Sequence, residues 1–240
     1  MFERAHHQRI GRLLQALDAL KLRELGCLFG GGTAMALRFG EYRESVDVDF
    51  LVSDQDGYRE LRNLLRGSRD LGAISRPGVA PPACRNEIRV DQYGIRTHVM
   101  VDETAIKFEI VNEGRIVLEA PGRKDEVLGV STLSPVDMVA SKLLANSDRG
   151  LDDGTFNRDL LDLAMTSPPL ASLAAGHAKA SAAYGQSVAV DFHRAIARLR
   201  DREGWLERCM AAMQVRVPVA LVWQRLRTLE RRMAGFPSKD

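Results

Sequence analysis

Two aspartates one residue apart, Asp47 and Asp49, stand in the run Val46-Asp47-Val48-Asp49-Phe50-Leu51-Val52. The run is rich in β-formers, and side chains alternate across a strand. Both carboxylates therefore share one face, while Val46, Val48 and Phe50 turn to the other, toward a core. Two carboxylates on one face repel unless a cation joins them, and hard oxygens at this spacing suit Mg²⁺. The plainer alternative is an exposed edge strand with its acids in water. Upstream, Cys27-Leu28-Phe29 runs into Gly30-Gly31-Gly32 and then into the helix formers Thr33-Ala34-Met35-Ala36-Leu37-Arg38. Strand, glycine turn and short helix in that order aim backbone N–H groups at the positive end of a helix. This is an anion site suited to a triphosphate, with Gly31, Gly32 and the Thr33 hydroxyl as donors. A tight turn that needs glycine for close packing is the competing explanation. A P-loop would need Lys after the glycines, and the dinucleotide fingerprint would need Gly where Met35 stands.

A second strand-like stretch, Ile106-Lys107-Phe108-Glu109-Ile110, repeats the alternation, with Lys107 and Glu109 on one face. Laid beside the first strand, Glu109 completes a three-carboxylate cluster of the kind that holds two metal ions about 3.5–4 Å apart for in-line phosphoryl chemistry. Lys107 then pairs with a carboxylate or reaches a phosphate. Asp102, Glu103 and Glu113 compete for the third place, and a plain surface Lys–Glu face is the alternative to any site. The five histidines, His6, His7, His98, His177 and His193, show no ligand spacing and read as incidental. Trp205 and Trp223 fall in helical stripes and read as core.

The elements that must position these residues are legible in outline. Ile10, Leu13, Leu14, Leu17, Leu20 and Leu25 recur at helical spacing and predict one amphipathic helix over residues 4–25. A helix is expected over Asp56 to Arg66, loop over 67–86, and strands over Glu87 to Asp91, Ile95 to Val101 and Ala105 to Val111. Gly94 marks a hairpin, and Arg115 to Leu118 offers a short further strand. Ser134-Pro135-Val136-Asp137 carries helix-start chemistry, and nearly everything after it reads as helix. The expected fold class is α+β: a core over 1–130 with a mixed sheet flanked by helices, then a helical domain over 131–240.

Composition bounds the rest. The chain of 240 residues is 45% apolar and 28% charged, an ordinary soluble balance that can bury a core without staples. The net charge of +2 is unevenly spread: from Asp191 onward there are 11 Lys or Arg against 6 Asp or Glu. Such a basic tail either faces a polyanion or is the solvated side of amphipathic helices. Cys27, Cys84 and Cys209 lie far apart, with neither metal-ligand spacing nor a disulfide framework, as buried thiols of a reducing compartment would. No apolar run approaches the roughly 20 residues of a membrane helix, and the opening Met1-Phe2-Glu3-Arg4 has no signal region. The cytoplasm is the expected compartment.

The ordered set is more specific than its parts. Gly31-Gly32-Thr33, a short helix, then Arg43-x-Ser45-x-Asp47-Val48-Asp49 resembles the DNA polymerase β-like nucleotidyltransferases, and within them the nucleotidyl transferase AbiEii/AbiGii toxin family. The resemblance extends over about residues 25–165: a Lys-bearing strand, Lys142 in a helix, and Arg158-Asp159-Leu160-Leu161-Asp162-Leu163. It implies a Mg²⁺-dependent transfer of a nucleoside monophosphate from an NTP. In that reading Asp47 and Asp49 hold metal with Glu109, the glycine turn and Lys107 grip phosphates, and Lys142, Arg158 and Asp159 complete the site. It also implies the toxin of a toxin–antitoxin pair, with a cognate antitoxin as partner and tRNA as acceptor. Transfer to a protein or small-molecule hydroxyl, or an NTP-binding module without catalysis, are the rival expectations. An ion-paired strut is the plainer explanation of Arg158, Asp159 and Asp162.

Overall fold

A computed structural model describes residues 2–236. The chain forms two compact units. The first holds the residues up to Glu41 together with Ser45–Ser134; the second holds Tyr42–Glu44 and the residues from Pro135 onward.

The first unit runs α1 (Ala5–Ala16), α2 (Ala19–Glu24), β1 (Leu28–Gly30), α3 (Gly31–Arg38), β2 (Val48–Val52) and α4 (Gln55–Leu65). It continues through β3 (Arg89–Val90), β4 (Gly94–Val101), β5 (Thr104–Asn112), β6 (Glu126–Val127) and β7 (Val130–Ser131). Five strands make one sheet in the order β1-β2-β5-β4-β3, and β6 pairs with β7 apart from it. The sheet is mixed: β2 and β5 run parallel, and the other pairs are antiparallel. Alternation sends Phe29, Phe50 and Phe108 into the core from three adjacent strands, with ring centroids 5.4 and 5.6 Å apart along the row. Ile10, Leu13, Leu14, Leu61 and Leu65 of α1 and α4 belong to the same core.

Three expectations change. The single helix over 4–25 is two helices. Backbone bonds from Asp18 N–H to the Ile74 carbonyl and from Arg76 N–H to the Ala16 carbonyl draw the chain out of helix at Leu17, and the Asp18 side chain restarts it by accepting from Lys21 N–H. No strand forms at 115–118; there the Leu118 N–H donates to Ser53 Oγ, and Glu113 takes the Arg115 N–H and guanidinium. Val46 lies outside β2 and is 49% exposed rather than turned to the core.

The second unit is helical: α5 (Pro135–Arg149), α6 (Arg158–Thr166), α7 (Leu170–Tyr184), α8 (Ser187–Asp201), α9 (Trp205–Ala212) and α10 (Val219–Met233). Leu143, Leu144, Leu161, Leu173, Phe192 and Leu226 are buried in it. Tyr42–Glu44 joins it through the Glu44 N–H, which donates to the Met213 carbonyl at 2.9 Å. Helices α5 and α7 approach closely because Gly176 has no side chain: a Cβ there would lie 2.6 Å from Val139 and 2.7 Å from the Val136 carbonyl oxygen. Gly176→Ala is therefore expected to lower stability by about 1–3 kcal/mol in urea denaturation. An unchanged midpoint would mean that the two helices separate at no cost.

Candidate active site

The sheet register lines up one residue from each of four strands. Gly30 of β1 pairs with Asp49 of β2, Asp49 with Glu109 of β5, and Glu109 with Arg96 of β4. The chain leaves this row at Gly31, whose φ of +67° is a backbone shape that favours glycine, and α3 begins there. The same residue makes room for the acid: a Cβ on Gly31 would stand 2.5 Å from Asp49 Oδ2. The half-buried Asp49 carboxylate thus lies against the N-terminal turn of α3, where the helix carries its positive end.

Asp47 lies one residue before β2, in a lead-in without regular structure. Its carbonyl oxygen is 2.5 Å from Thr33 Oγ1, which is also 2.8 Å from Ser45 Oγ. A carbonyl can only accept, so Thr33 gives Asp47 its one proton and takes the Ser45 hydroxyl in turn. Thr33 is fully buried. The hydroxyl expected to serve a triphosphate is instead committed to shaping the aspartate segment.

Glu109 stands beside Asp49 in the register, but its oxygens are occupied: Arg96 Nε donates to Oε1 at 2.6 Å and Lys107 Nζ to Oε2 at 2.9 Å. Burial alone would raise the Glu109 carboxyl; the hydrogen bonds from Lys107 and Arg96 hold it below its usual range. Burial likewise works against the Lys107 charge. The hydrogen bond to Glu109, followed by the charges of Glu109, Asp49 and Asp47, keeps that ammonium above its ordinary pKa. Lys107 therefore lies within the field of all three acids. Among the described residues, no three His, Cys, Asp or Glu side chains come together as a metal-holding group, so the expected three-carboxylate cluster is not gathered. Two aspartates supply too few oxygens for an all-protein cage, so a hard cation at Asp47 and Asp49 would draw its remaining ligands from phosphate and water. Glu109→Gln is expected to lower transfer less than tenfold, because it removes a partner of Lys107 and no oxygen of Asp47 or Asp49. A loss as deep as that of Asp49→Ala in the same assay would make Glu109 a ligand.

The second unit has its own cluster. Lys142 is 4% exposed, and its Nζ lies 2.8 Å from Asp159 Oδ1 and 2.7 Å from Asp162 Oδ2. Asp162 also takes Arg43 Nε at 2.6 Å, Arg43 Nη2 at 2.9 Å and the Tyr42 hydroxyl at 2.7 Å. Asp159 takes Arg149 through Nε at 2.8 Å and Nη2 at 3.1 Å. The ion pairs run through Asp159 and Asp162, three apart on one face of α6, while half-buried Arg158 only opens that helix. Burial would push both aspartic acids up; the cations around them hold Asp159 well below the usual carboxylate range and Asp162 below it. Trp205 is buried, as expected of a core residue, under the guanidiniums of Arg198, Arg202 and Arg208. Trp223 is only half-buried and lines an open groove of about 360 Å³ with Ile196, Arg200, Leu226, Arg227 and Glu230.

A family model described as nucleotidyl transferase AbiEii toxin, type IV toxin–antitoxin system, matches residues 12–217. The chain belongs to that family. No curated protein sequence matched it. The fold of this AbiEii-family chain is similar to a crystal structure of a candidate nucleotidyltransferase from H. pylori, at 16% identity and a TM-score of 0.50, covering 95% of this chain and 92% of that one. A crystal structure of JHP933 from Helicobacter pylori also matches, at 17% identity and a TM-score of 0.41, covering 98% and 97%. The α+β class with a mixed sheet flanked by helices is the one expected, and no described helix is long and apolar enough to cross a membrane.

Several functional neighbours in this AbiEii-family chain carried no sequence signal. Arg96 reaches Glu109 only through the β4–β5 register, and Tyr42 reaches Asp162 across more than 100 residues of chain; Arg43, already marked by its motif, meets the same Asp162, a partner the motif did not indicate. His6 and His7, read as incidental, both bond the lead-in to Asp47: His6 Nε2 lies 2.9 Å from the Val46 carbonyl oxygen, and His7 Nε2 accepts the Ser45 N–H at 3.1 Å.

Proposed function

We propose that this protein transfers a nucleoside monophosphate from an NTP to an acceptor hydroxyl of RNA, with tRNA as the leading candidate. It would do so with Mg²⁺ in the cytoplasm, as the toxin partner of a cognate antitoxin. The observation that carries the reading is the row of Gly30, Asp49, Glu109 and Arg96, with the Asp49 carboxylate seated against the glycine start of α3. A row of that kind would put an acid able to bind a cation beside helix N–H groups that donate to phosphate oxygens.

In the proposed reaction the acceptor oxygen bonds to the α-phosphorus, and the bond from that phosphorus to the α–β bridging oxygen breaks. Pyrophosphate leaves, and the hydroxyl proton passes to solvent. Asp47 and Asp49 would hold the metal. When bound there, Mg²⁺ lowers the pKa of the acceptor hydroxyl and offsets the charge of the leaving pyrophosphate. The N–H groups of Gly31 and Gly32 orient the triphosphate. Lys107, kept protonated by the acids around it, offers a point charge to a phosphate oxygen, and Glu109 with Arg96 fixes where that charge stands. Lys142, Asp159 and Asp162 form the buried frame of the helical unit, to which Arg149 and Arg158 add half-exposed cations.

The RNA acceptor is favoured by the groove on α8 and α10. Arg200 and Arg227 flank the half-buried Trp223, and Arg231 borders the adjoining hollow. Guanidiniums neutralise phosphates, and an indole face stacks on an unpaired base. The test is incubation with labelled NTP, Mg²⁺ and either total RNA or RNA-free lysate. Label in RNA is expected; label in protein would transfer the reading to a protein hydroxyl, and the absence of label to a non-catalytic module. RNA affinity should fall with salt at a logarithmic slope of about −2 to −3 for three phosphate contacts, shallower by about 1 in Arg227→Gln. A flat salt response would remove the groove from the account.

A further inference from the structure

The aspartate pair is reached through Ser45, Val46 and Asp47, a stretch outside the strand ladder. Its backbone groups therefore need partners from elsewhere. Two of them come from consecutive histidines in the first turn of α1. His7 is completely buried, and both ring nitrogens are engaged: Nε2 accepts the Ser45 N–H at 3.1 Å, and Nδ1 lies 2.7 Å from Glu41 Oε1. Because Nε2 accepts, the proton sits on Nδ1 and is donated to Glu41, which fixes the tautomer and the ring plane. Glu41 is fixed in turn, since its carboxylate takes the N–H of Glu3 at 2.7 Å and of Arg4 at 3.2 Å. Its backbone has a φ of +51°, a left-handed shape uncommon for a residue with a side chain. His6 holds the next residue, its Nε2 donating to the Val46 carbonyl oxygen at 2.9 Å. Thr33 holds the Ser45 hydroxyl and the Asp47 carbonyl.

We infer that His6 and His7, with Glu41 behind His7, are positioning residues that set the backbone of Ser45–Asp47 and thereby the Asp47 carboxylate. The inference rests on the reading of Asp47 as a metal-holding acid. A buried histidine satisfies both ring nitrogens in any case; what points beyond packing is that one of them is spent on a backbone N–H of the segment leading to Asp47, with Glu41 fixing the other. The arrangement is the outer shell of a metal site built at one remove: the ring orients main chain, and the main chain orients the ligand.

Three measurements on the full chain test it. In His7→Ala, amide hydrogen exchange across Ser45–Asp47 should quicken by about tenfold or more while the peptides of β4 and β5 keep their wild-type rates. The midpoint for Mn²⁺ binding, read by loss of the free-ion electron paramagnetic resonance signal without NTP, should rise by about 10- to 100-fold. His7→Gln, which keeps an acceptor for the Ser45 N–H, should recover part of both. Wild-type exchange at Ser45–Asp47, or an increase spread evenly over the molecule, would overturn the inference and leave His7 a packing residue. Should His7→Ala not fold, His6→Ala carries the same readouts at several-fold size, and wild-type values there overturn it equally. Asp47→Asn separates the two layers. If that variant binds Mn²⁺ as wild type does while His7→Ala loosens the segment, the metal reading fails and the positioning of Ser45–Asp47 stands.

Discussion

Replacing Asp49 by Ala is expected to lower nucleotidyl transfer by about 10³-fold with the fold intact. The size follows from what the carboxylate would hold: a bound cation contributes several kcal/mol to charge stabilisation in phosphoryl chemistry, and each 1.36 kcal/mol is tenfold in rate. The fold should survive because Asp49 contributes neither core volume nor a ladder bond that Ala lacks. Its removal also takes one negative charge from the face it shares with Glu109. Gly31→Ala should reproduce part of the loss by another route. The added Cβ meets Asp49 Oδ2 at 2.5 Å, and the φ of +67° strains any side chain there. Initial rates with labelled NTP, beside urea midpoints, check both. An Asp49→Ala enzyme that kept more than a tenth of wild-type activity would place the chemistry elsewhere.

The largest loss of stability is expected at Asp162. It is fully buried and carries Arg43, Lys142 and the Tyr42 hydroxyl on its two oxygens. Asp162→Ala strips Arg43 of a bidentate partner and Lys142 of one of two, inside a region with little water to replace them. Removing one side of a buried ion pair costs about 3–5 kcal/mol. Urea denaturation followed by far-ultraviolet dichroism should show a loss of that size, against under 0.5 kcal/mol for a surface control such as Asp56→Ala, whose carboxylate is 80% exposed. The acid response has the same origin. Asp159 and Asp162 have folded pKa values below their unfolded ones, so their contribution is fully present above the unfolded carboxylate value of about 4. It is lost only as pH falls through the lowered folded values. The helical unit should thus resist acid to well below pH 4, and Arg43→Met should bring its acid transition to higher pH.

The difference between these two clusters explains what could be read from the sequence. Alternation is local, so the shared face of Lys107 and Glu109 on β5 follows from residue order alone, whereas Asp47 lies before β2, where alternation no longer governs it. Which strands lie side by side is not local: the parallel pairing of β2 with β5 sets Asp49 beside Glu109, and the β4–β5 register then brings Arg96 to neutralise it. Expecting a three-carboxylate cluster failed to anticipate that cation. The spacing of Asp159 and Asp162 marks one helix face, but it does not tell that Tyr42 and Arg43 leave the first unit to meet them. The break at Leu17 came from the same kind of cause, a backbone pairing with residues 74–76 that overrides a good helical stripe. His6 and His7 lie nearly 40 residues from the segment they hold, and they have no spacing relation to any ligand.

The reading as a nucleotidyltransferase stands or falls on which phosphorus is transferred. The protein, Mg²⁺ and RNA should be incubated in parallel with the same NTP labelled at the α- or at the γ-phosphorus. The account predicts label in the RNA from the α-labelled nucleotide only, with the γ-label recovered as pyrophosphate, and neither product with Asp49→Ala. Label entering the acceptor from the γ-position would contradict it, because the row of Gly30, Asp49, Glu109 and Arg96 would then serve phosphoryl rather than nucleotidyl transfer.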